Sequence, residues 1–311
     1  MNNKQIKNSV LSIVAFMLSA GAVYLLRNFL PRTADAVQTV DSKPLVIALI
    51  PEKNSFEQRL RYGQLAHYIE EQLGSAVRIE LLPNYSRIYQ AFLDGTVDAG
   101  FFGSFSYIIA HDRGLVEPVA RPVWLNGTST YRGYIITRKD SGITSLEDMK
   151  GKTLALVDKA TTAGYLFQLW YFRQRGITNI EQYFSKVRFC GSQDAAAWAV
   201  FSREADVGGC KNDIFNALKA SNPKFAEEML VLAESVEVPS NGLAVRKNLE
   251  PYLKQRLKAI LLDMDKSRAG RKALEEFKAI KFTETTEQDY SSLVKMVQEA
   301  GVDLSEYWHD Q

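Results

Sequence analysis

Residues 153–174 read TLALVDKATTAGYLFQLWYFRQ, a stretch that changes abruptly from one hydrophobic pattern to another. The apolar run TLALV at 153–157 predicts a buried strand, and the segment 162–174 predicts a helix. The polar turn DKAT separates the two elements, and Thr162 stands where the helix begins. A strand that leads through a short turn into a helix is the repeating unit of α/β proteins.

The same alternation extends along the chain in both directions. Further strands are predicted at 45–50, 77–82, 97–102, 117–124, 132–139, 187–190, 205–209, 229–235 and 242–247. Helices are predicted between most of these strands, and three more follow at about 250–265, 267–278 and 286–300. Alternation of this kind predicts an α/β fold in which mostly parallel sheets are flanked by helices.

The alternation forms two series, which predicts two lobes in a chain of 311 residues. The long strands at 132–139 and 242–247 are expected to cross between the lobes. One lobe would then comprise 44–138 and 240–311, with the other, 140–238, inserted into it. Ligands in open α/β sheets bind outside the carboxyl ends of the strands, so the lobes should enclose a cleft. The cleft should close by a hinge, with hinge residues near Arg138–Asp140 and Pro239–Asn241.

The N-terminal segment, 1–36, has the pattern of an export signal. Two lysines precede an apolar run at 10–26, and the triplet ADA at 34–36 fits a cleavage site. Cleavage would release the protein into the periplasm, whereas retention would anchor it to the inner membrane through 10–26, and both outcomes stay open. Residues 37–43 are polar and predict a linker.

Charge and histidine content exclude several functions. The formal net charge is +2, which argues against nucleic-acid binding, and any bound anion would be held by local dipoles. The three histidines, His67, His111 and His309, are far apart in the sequence and predict no metal site. No cofactor is expected.

Four polar stretches follow predicted strands and therefore fall where ligands bind. They are 83–89, 103–107, 158–165 and 191–194. In the third, Thr161 and Thr162 lie at the start of a helix, where hydroxyls and free backbone N–H groups can surround a phosphoryl-type anion. A threonine that merely caps a helix has the same pattern, so these residues alone leave both interpretations open.

Longer motifs are more specific. They are NYSRIYQAFLDGTVDAGFFGSFSY (84–107), GTSTYRGYIITRKDSGITSLEDMKGKTLALVDKATTAGYLF (127–167), FCGSQDAAAWAVFSREADVGGCKNDIF (189–215) and VPSNGLAVRKNL (238–249). In this order, over roughly 44–250, they resemble the phosphate/phosphite/phosphonate-binding family of ABC-transporter solute receptors. The resemblance implies a two-lobed, type II periplasmic-binding-protein-like fold, a small phosphorus oxyanion as ligand and an inner-membrane ABC permease as partner. It also implies a monomeric receptor that is not an enzyme.

The resemblance assigns ligand-binding roles to particular side chains of this sequence. The oxyanion hydroxyls correspond to Thr161 and Thr162, a first-lobe tyrosine to Tyr85, and a crossover tyrosine to Tyr131. Ser104, which follows the third predicted strand, completes the set of candidate hydroxyls.

Three positions depart from the family pattern. Gln193 replaces a histidine, Ala163 replaces a third hydroxyl, and Asn241 replaces one of the two carboxylates that hold a substrate ammonium group. Asp213 corresponds to the other carboxylate. Because one carboxylate compensates a buried ammonium poorly, we expect phosphite, phosphate or methylphosphonate to be preferred over aminoethylphosphonate.

Two other functions are compatible with this architecture. A membrane-tethered sensor would bind the same oxyanion and report occupancy to a signalling partner. A transferase on the same fold would need Cys190 or Cys210 as its nucleophile. We expect these two cysteines to stay unbridged, because a strand between theirs would separate them by roughly 9–10 Å, beyond the reach of a disulfide.

Overall fold

The computed structural model describes residues 43–51 and 55–308. The predicted signal or anchor at 1–36 and nearly all of the predicted linker lie outside these residues. Within the described part of the chain, no helix is both long and apolar enough to cross a membrane.

The strands agree closely with those expected from the hydrophobic pattern. They are β1 Leu45–Leu49, β2 Val77–Leu81, β3 Ala99–Phe102, β4 Val116–Trp124, β5 Thr130–Tyr131, β6 Gly133–Arg138, β7 Thr153–Leu156, β8 Lys186–Phe189, β9 Val207–Lys211, β10 Met229–Glu234, β11 Val238–Pro239, β12 Gly242–Arg246 and β13 Ala279–Glu284. Every predicted strand is present. Strands β5, β11 and β13 were not predicted.

The helices alternate with the strands and cover the sheets. They are α1 Ser55–Leu73, α2 Arg87–Leu93, α3 Ser104–Asp112, α4 Phe167–Arg173, α5 Ile180–Tyr183, α6 Gln193–Phe201, α7 Asn212–Ser221, α8 Pro223–Glu228, α9 Pro251–Leu262, α10 Arg268–Phe277 and α11 Ser291–Ala300. A π-helical turn, Thr162–Leu166, leads directly into α4.

The strands form two mixed sheets, not the mostly parallel sheets that were expected. The first has the order β13-β4-β12-β3-β1-β2, and the second has the order β10-β6-β9-β7-β8. Each contains a parallel core, β2-β1-β3 or β8-β7-β9, extended by antiparallel strands. The antiparallel strands include β6 and β12, which enter one sheet from the other and therefore run against their neighbours.

The chain crosses between the sheets twice, and the two crossings pair with each other. Strands β5 and β11 form a short antiparallel ribbon in which Tyr131 lies opposite Val238. Of the two expected hinge segments, Arg138–Asp140 does not lie at a crossing, because Arg138 belongs to the second sheet and its buried side chain bonds Asp140 and Glu228. The expected hinge near Pro239–Asn241 does lie at a crossing.

The part of the chain that follows β12 contacts elements of both sheets. Strand β13 pairs with β4 and buries Ala279 and Phe282, and an irregularity in the pairing between Ala279 and Lys281 breaks the alternation by which a strand is recognised. Helix α11 packs against α4, where the Trp170 indole N–H donates to Glu299 at 2.7 Å. The division into one lobe of 44–138 and 240–311 and a second lobe of 140–238 stays a prediction. Helix α11, although it lies in 240–311, contacts the helices of the second sheet.

The order of the second sheet agrees with the expectation for the cysteine-bearing strands. Strand β7 lies between β8 and β9, as predicted. Cys190, which follows β8, and Cys210, in β9, are both free thiols. Burial raises the pKa of both thiols, most strongly that of Cys210, which is the opposite of what an activated nucleophile requires.

Candidate functional site

A small buried cavity of about 10 Å³ lies between the two sheets. Its polar side chains come from seven positions in both halves of the fold: Tyr85, Tyr131, Thr161, Thr162, Gln193, Lys211 and Asn241. Most of these positions follow the carboxyl end of a parallel strand. Asn241 reaches the same edge because it precedes β12, which runs in the opposite direction. The topology therefore brings together polar residues that are far apart in the sequence.

The two threonines have different local roles. Thr161 is extended, and its hydroxyl donates to the carbonyl of Asp158 at 2.7 Å, which stabilises the turn after β7. The Thr162 hydroxyl accepts from the backbone N–H of Phe105 at 2.9 Å. Since Phe105 belongs to α3 beside the first sheet, this hydrogen bond joins the two halves at the cavity. A hydroxyl that accepts one hydrogen bond can still donate its proton to a ligand.

The backbone at this point begins a helix. The first internal hydrogen bond of the π-helical turn runs from Leu166 N to the carbonyl of Thr161, so the preceding N–H groups have no intrahelical acceptor. The positive end of the helix dipole lies here and favours an anion. Gly164 allows the turn to pack closely, since an added Cβ would lie 2.2 Å from Val157 Cγ2.

The aromatic hydroxyls of the expected set approach from the first sheet and from the crossover ribbon. Tyr85 and Tyr131 are both buried and line the cavity. Ser104 is buried beside them, and its hydroxyl lies 3.4 Å from the Tyr131 hydroxyl while donating to the Pro239 carbonyl. Ser104 thus contacts Tyr131 without itself lining the cavity.

Gln193 is held rigidly in the wall of the cavity. Only 1% of its surface is exposed, and its Oε1 accepts from the backbone N–H of Lys211 at 3.0 Å. That bond uses the amide oxygen as an acceptor, and the amide nitrogen is the donor of the side chain. Ser192 caps the following helix, α6, by accepting from Ala195 N at 3.3 Å. A neutral amide donor therefore stands where the family pattern has histidine.

Lys211 lines the cavity and was not among the expected residues. Its side chain is 6% exposed, and its Nζ donates to Asn241 Oδ1 at 2.7 Å. The same ammonium lies 4.5 Å from the centre of the Tyr131 ring, a cation–π contact. The sequence signal was a lysine at the end of a strand, but the strand was predicted to stop at 209, which placed Lys211 in the following loop.

Asp213 is not brought into the small cavity. Its carboxylate is exposed, accepts from the backbone N–H of Ile214 at 2.8 Å, and lines a neighbouring cavity instead. Asn241 lines both cavities, so the two positions that correspond to ammonium-binding carboxylates share only the neighbouring one. Asn241 faces a lysine, and Asp213 lies outside.

Asp158, in the turn before the threonines, is a partly buried ionisable group. Burial raises the pKa of its carboxyl, although the carboxyl accepts from Ala160 N at 2.8 Å. Within residues 43–51 and 55–308, no cluster of three His, Cys, Asp or Glu side chains is arranged to bind a metal ion.

Two mixed α/β sheets, joined by two crossings and enclosing a polar cavity at their strand ends, define the periplasmic binding protein class. The sequence profile of the family described as "ABC transporter, phosphonate, periplasmic substrate-binding protein" matches residues 47–290. The chain belongs to this family, whose members are exported receptors of ABC importers.

Two characterised relatives have informative names. The chain is 28% identical over 173 residues to the phosphate-import protein PhnD of Mycolicibacterium smegmatis, covering 53% of this chain and 54% of that protein. It is 25% identical over 237 residues to the phosphonates-binding periplasmic protein of Escherichia coli, covering 75% of this chain and 70% of that protein. The chain thus aligns with about half the length of the mycobacterial relative.

A solved structure has the same fold. PhnD1 from Prochlorococcus marinus, in complex with methylphosphonate, superposes with a TM-score of 0.74 at 20% identity, covering 83% of this chain and 98% of that one. The comparison agrees with the type II fold expected from the sequence.

Proposed function

We propose that this protein is the substrate-binding component of an ABC importer and binds a small phosphorus oxyanion between its two sheets. The observation that carries the proposal is the convergence of Tyr85, Tyr131, Thr162 and Gln193 on one buried cavity at the start of a helix. Hydroxyl and amide donors around a helix N-terminus match the oxygens of a tetrahedral anion. The names of the two relatives, which concern phosphate and phosphonates, support the same ligand class.

The charge of the cavity favours an ionised ligand. The Lys211 ammonium is nearly buried there, while Asp213 lies outside. An anion beside a buried ammonium gains charge-assisted hydrogen bonding, whereas a second ammonium would be repelled. Phosphate, phosphite and methylphosphonate are therefore better ligands than aminoethylphosphonate.

Ligand entry requires the cavity to open. A volume of about 10 Å³ corresponds to roughly one water molecule, which is less than a phosphoryl group needs. The β5–β11 ribbon is the only paired element at the two crossings described in residues 43–51 and 55–308, so it is the natural hinge. Separation of the sheets would break the hydrogen bond between Phe105 and Thr162.

The proposed partner is an inner-membrane permease, and the receptor acts as a monomer in the periplasm. Export would use the segment 1–36, and an uncleaved segment would keep the protein anchored through 10–26. Anchoring would also suit the sensor function, in which ligand occupancy is passed to a signalling partner. Amino-terminal sequencing of the protein recovered from the producing cells distinguishes a cleaved from a retained segment.

The binding function is tested by calorimetric titration of the purified protein with phosphate, phosphite, methylphosphonate and sulfate. At least one phosphorus oxyanion should bind with a dissociation constant in the micromolar range or below, and more tightly than sulfate. A protein that binds none of the phosphorus oxyanions, or that prefers sulfate, would refute the proposal.

A further inference from the structure

Gln168, in the first turn of α4, is a fully buried polar side chain outside the set that lines the small cavity. Its amide Nε2 donates to two backbone carbonyls, that of Ala163 at 2.9 Å and that of Tyr134 at 3.1 Å. Ala163 belongs to the π-helical turn Thr162–Leu166, and Tyr134 belongs to β6. One amide group therefore joins this turn to the strand that enters the second sheet from the crossover ribbon.

The hydrogen bonding of the turn explains why the Ala163 carbonyl uses a side-chain donor. Phe167 N donates to the Thr162 carbonyl, which lies five residues back in the chain. In an α-helix the same N–H would donate to Ala163, four residues back. The π register therefore takes the α-helical donor away from Ala163, and Gln168 Nε2 donates in its place. Single π-helical turns inside helices occur frequently at functional sites.

The register of the turn sets the position of the hydroxyl that is proposed to bind the ligand. Thr162 is the first residue of the turn, and its hydroxyl accepts from Phe105 N at 2.9 Å. Ala163 is fully buried, so without the Gln168 amide its carbonyl would lack a donor in the π register. Return to the α register would give the Phe167 N–H back to Ala163, and it would shift Thr162 relative to the cavity.

The neighbouring strand leaves room for this amide. A Cβ added to Gly209 in β9 would lie 2.6 Å from Nε2 and 2.8 Å from Cδ of Gln168, and its three nearest atoms all belong to that side chain. Within the part of the chain that the structure describes, Gln168 Oε1 has no hydrogen-bond partner. An apolar side chain of the same shape would avoid the cost of burying that oxygen. The two donated hydrogen bonds therefore explain the amide better than packing does.

We propose that Gln168 is a positioning residue for oxyanion binding. Its amide maintains the π register of the turn Thr162–Leu166 and ties this turn to β6, so that the Thr162 hydroxyl is held at the cavity. Gln168 itself does not contact the ligand. This inference rests on the proposed oxyanion-binding function and adds a residue that acts on the ligand through Thr162.

Gln168→Met removes the amide and nearly preserves the volume of the side chain. Calorimetric titration with methylphosphonate should give a dissociation constant at least about tenfold above that of the wild type, the amount expected when one hydrogen bond to a charged ligand is lost. The midpoint of urea unfolding should change little, because the variant loses two hydrogen bonds but no longer buries the unpartnered Oε1. Gln174→Met, at an exposed position directly after α4, is the matched control and should leave both quantities as in the wild type.

A double variant tests whether Gln168 acts through Thr162. If it does, Gln168→Met combined with Thr162→Val should bind methylphosphonate no more than about twofold more weakly than Thr162→Val alone. Independent effects would multiply, and the double variant would then bind at least about tenfold more weakly than Thr162→Val. A second variant, Gly209→Ala, displaces the amide from the side of β9 and should fold, because the clash is with the end of a flexible side chain. It should weaken methylphosphonate binding by more than about twofold.

The outcomes separate this inference from the proposed function. If Gln168→Met is folded and binds methylphosphonate within about twofold of the wild type, or if the double variant shows independent effects, the positioning role is refuted and the oxyanion receptor stands. If Gln168→Met does not fold, Gly209→Ala decides, and unchanged binding by that variant refutes the role. If the wild-type protein binds none of phosphate, phosphite and methylphosphonate, the proposed function itself is wrong and the positioning role fails with it.

Discussion

Replacing Thr162 with valine removes one hydroxyl group and nearly preserves the shape of the side chain. Thr162 is buried, and its hydroxyl accepts from Phe105 N at 2.9 Å across the two sheets. The substitution therefore has two effects in the closed form. The ligand loses a hydrogen-bond donor, and the Phe105 N–H loses its acceptor.

The size of the effect follows from these contacts. A hydrogen bond to a charged group contributes about 1.5–3 kcal/mol. Its loss should therefore raise the dissociation constant of the ligand by roughly 10- to 150-fold. The unpaired Phe105 N–H further destabilises the closed form, so the lower figure is the minimum expected. Because the open form has neither interaction, global stability should change less than affinity.

Titration calorimetry with methylphosphonate measures the change, and urea unfolding of the same samples verifies that the variant is folded. Thr162→Ser, which keeps the hydroxyl, is the matched control and should stay within a fewfold of the wild type. A folded Thr162→Val protein whose methylphosphonate affinity is within twofold of the wild type would refute the assignment of Thr162 to the binding site.

Three further predictions concern packing, motion and titration. Gly164→Ala should destabilise the fold by about 1–3 kcal/mol in urea unfolding because of the clash with Val157. Its control, Gly63→Ala, meets nothing within 4 Å and should not destabilise. Small-angle scattering should give a smaller radius of gyration with methylphosphonate than without it, because the hinge closes. Asp158→Asn should stabilise the protein at neutral pH, because burial raises the pKa of Asp158 and penalises its charged form. That gain should shrink as the pH falls through the raised pKa, and it should disappear well below about 4, where both the folded and the unfolded states are protonated.

Each of these has a contradicting outcome. An unchanged midpoint for Gly164→Ala would mean that the turn does not pack against β7 as described. Superimposable scattering profiles with and without saturating ligand would exclude closure. An Asp158→Asn protein that is less stable than the wild type at neutral pH would mean that the carboxylate charge is stabilising there.

The hydrophobic pattern was sufficient to locate the strands and to predict an α/β chain with two series of elements. It was sufficient because buried strands and amphipathic helices leave distinct periods in a single sequence. The short strands β5 and β11 could not be recognised, since two residues define no period, and the first crossing was consequently expected within β6. The local hydrophobic pattern also could not predict that the sheets are mixed, because the relative direction of two strands depends on the path of the chain between them.

The residues of the candidate site likewise include some that local sequence predicts and others that only the tertiary structure brings together. Local sequence was enough to predict that Thr161 and Thr162 lie at the start of a helix, because a helix start and a polar turn are determined by neighbouring residues. The position of Lys211 depends on the end of β9, on the Tyr131 ring from the crossover ribbon and on Asn241 from before β12. These partners are separated by tens of residues in the sequence, and only the approach of the two sheets brings them within hydrogen-bonding distance. The sequence alone therefore determined the α/β elements and the polar turn at the start of a helix, whereas the tertiary structure decided which side chains line the cavity, because burial and long-range contacts determine which of them face it.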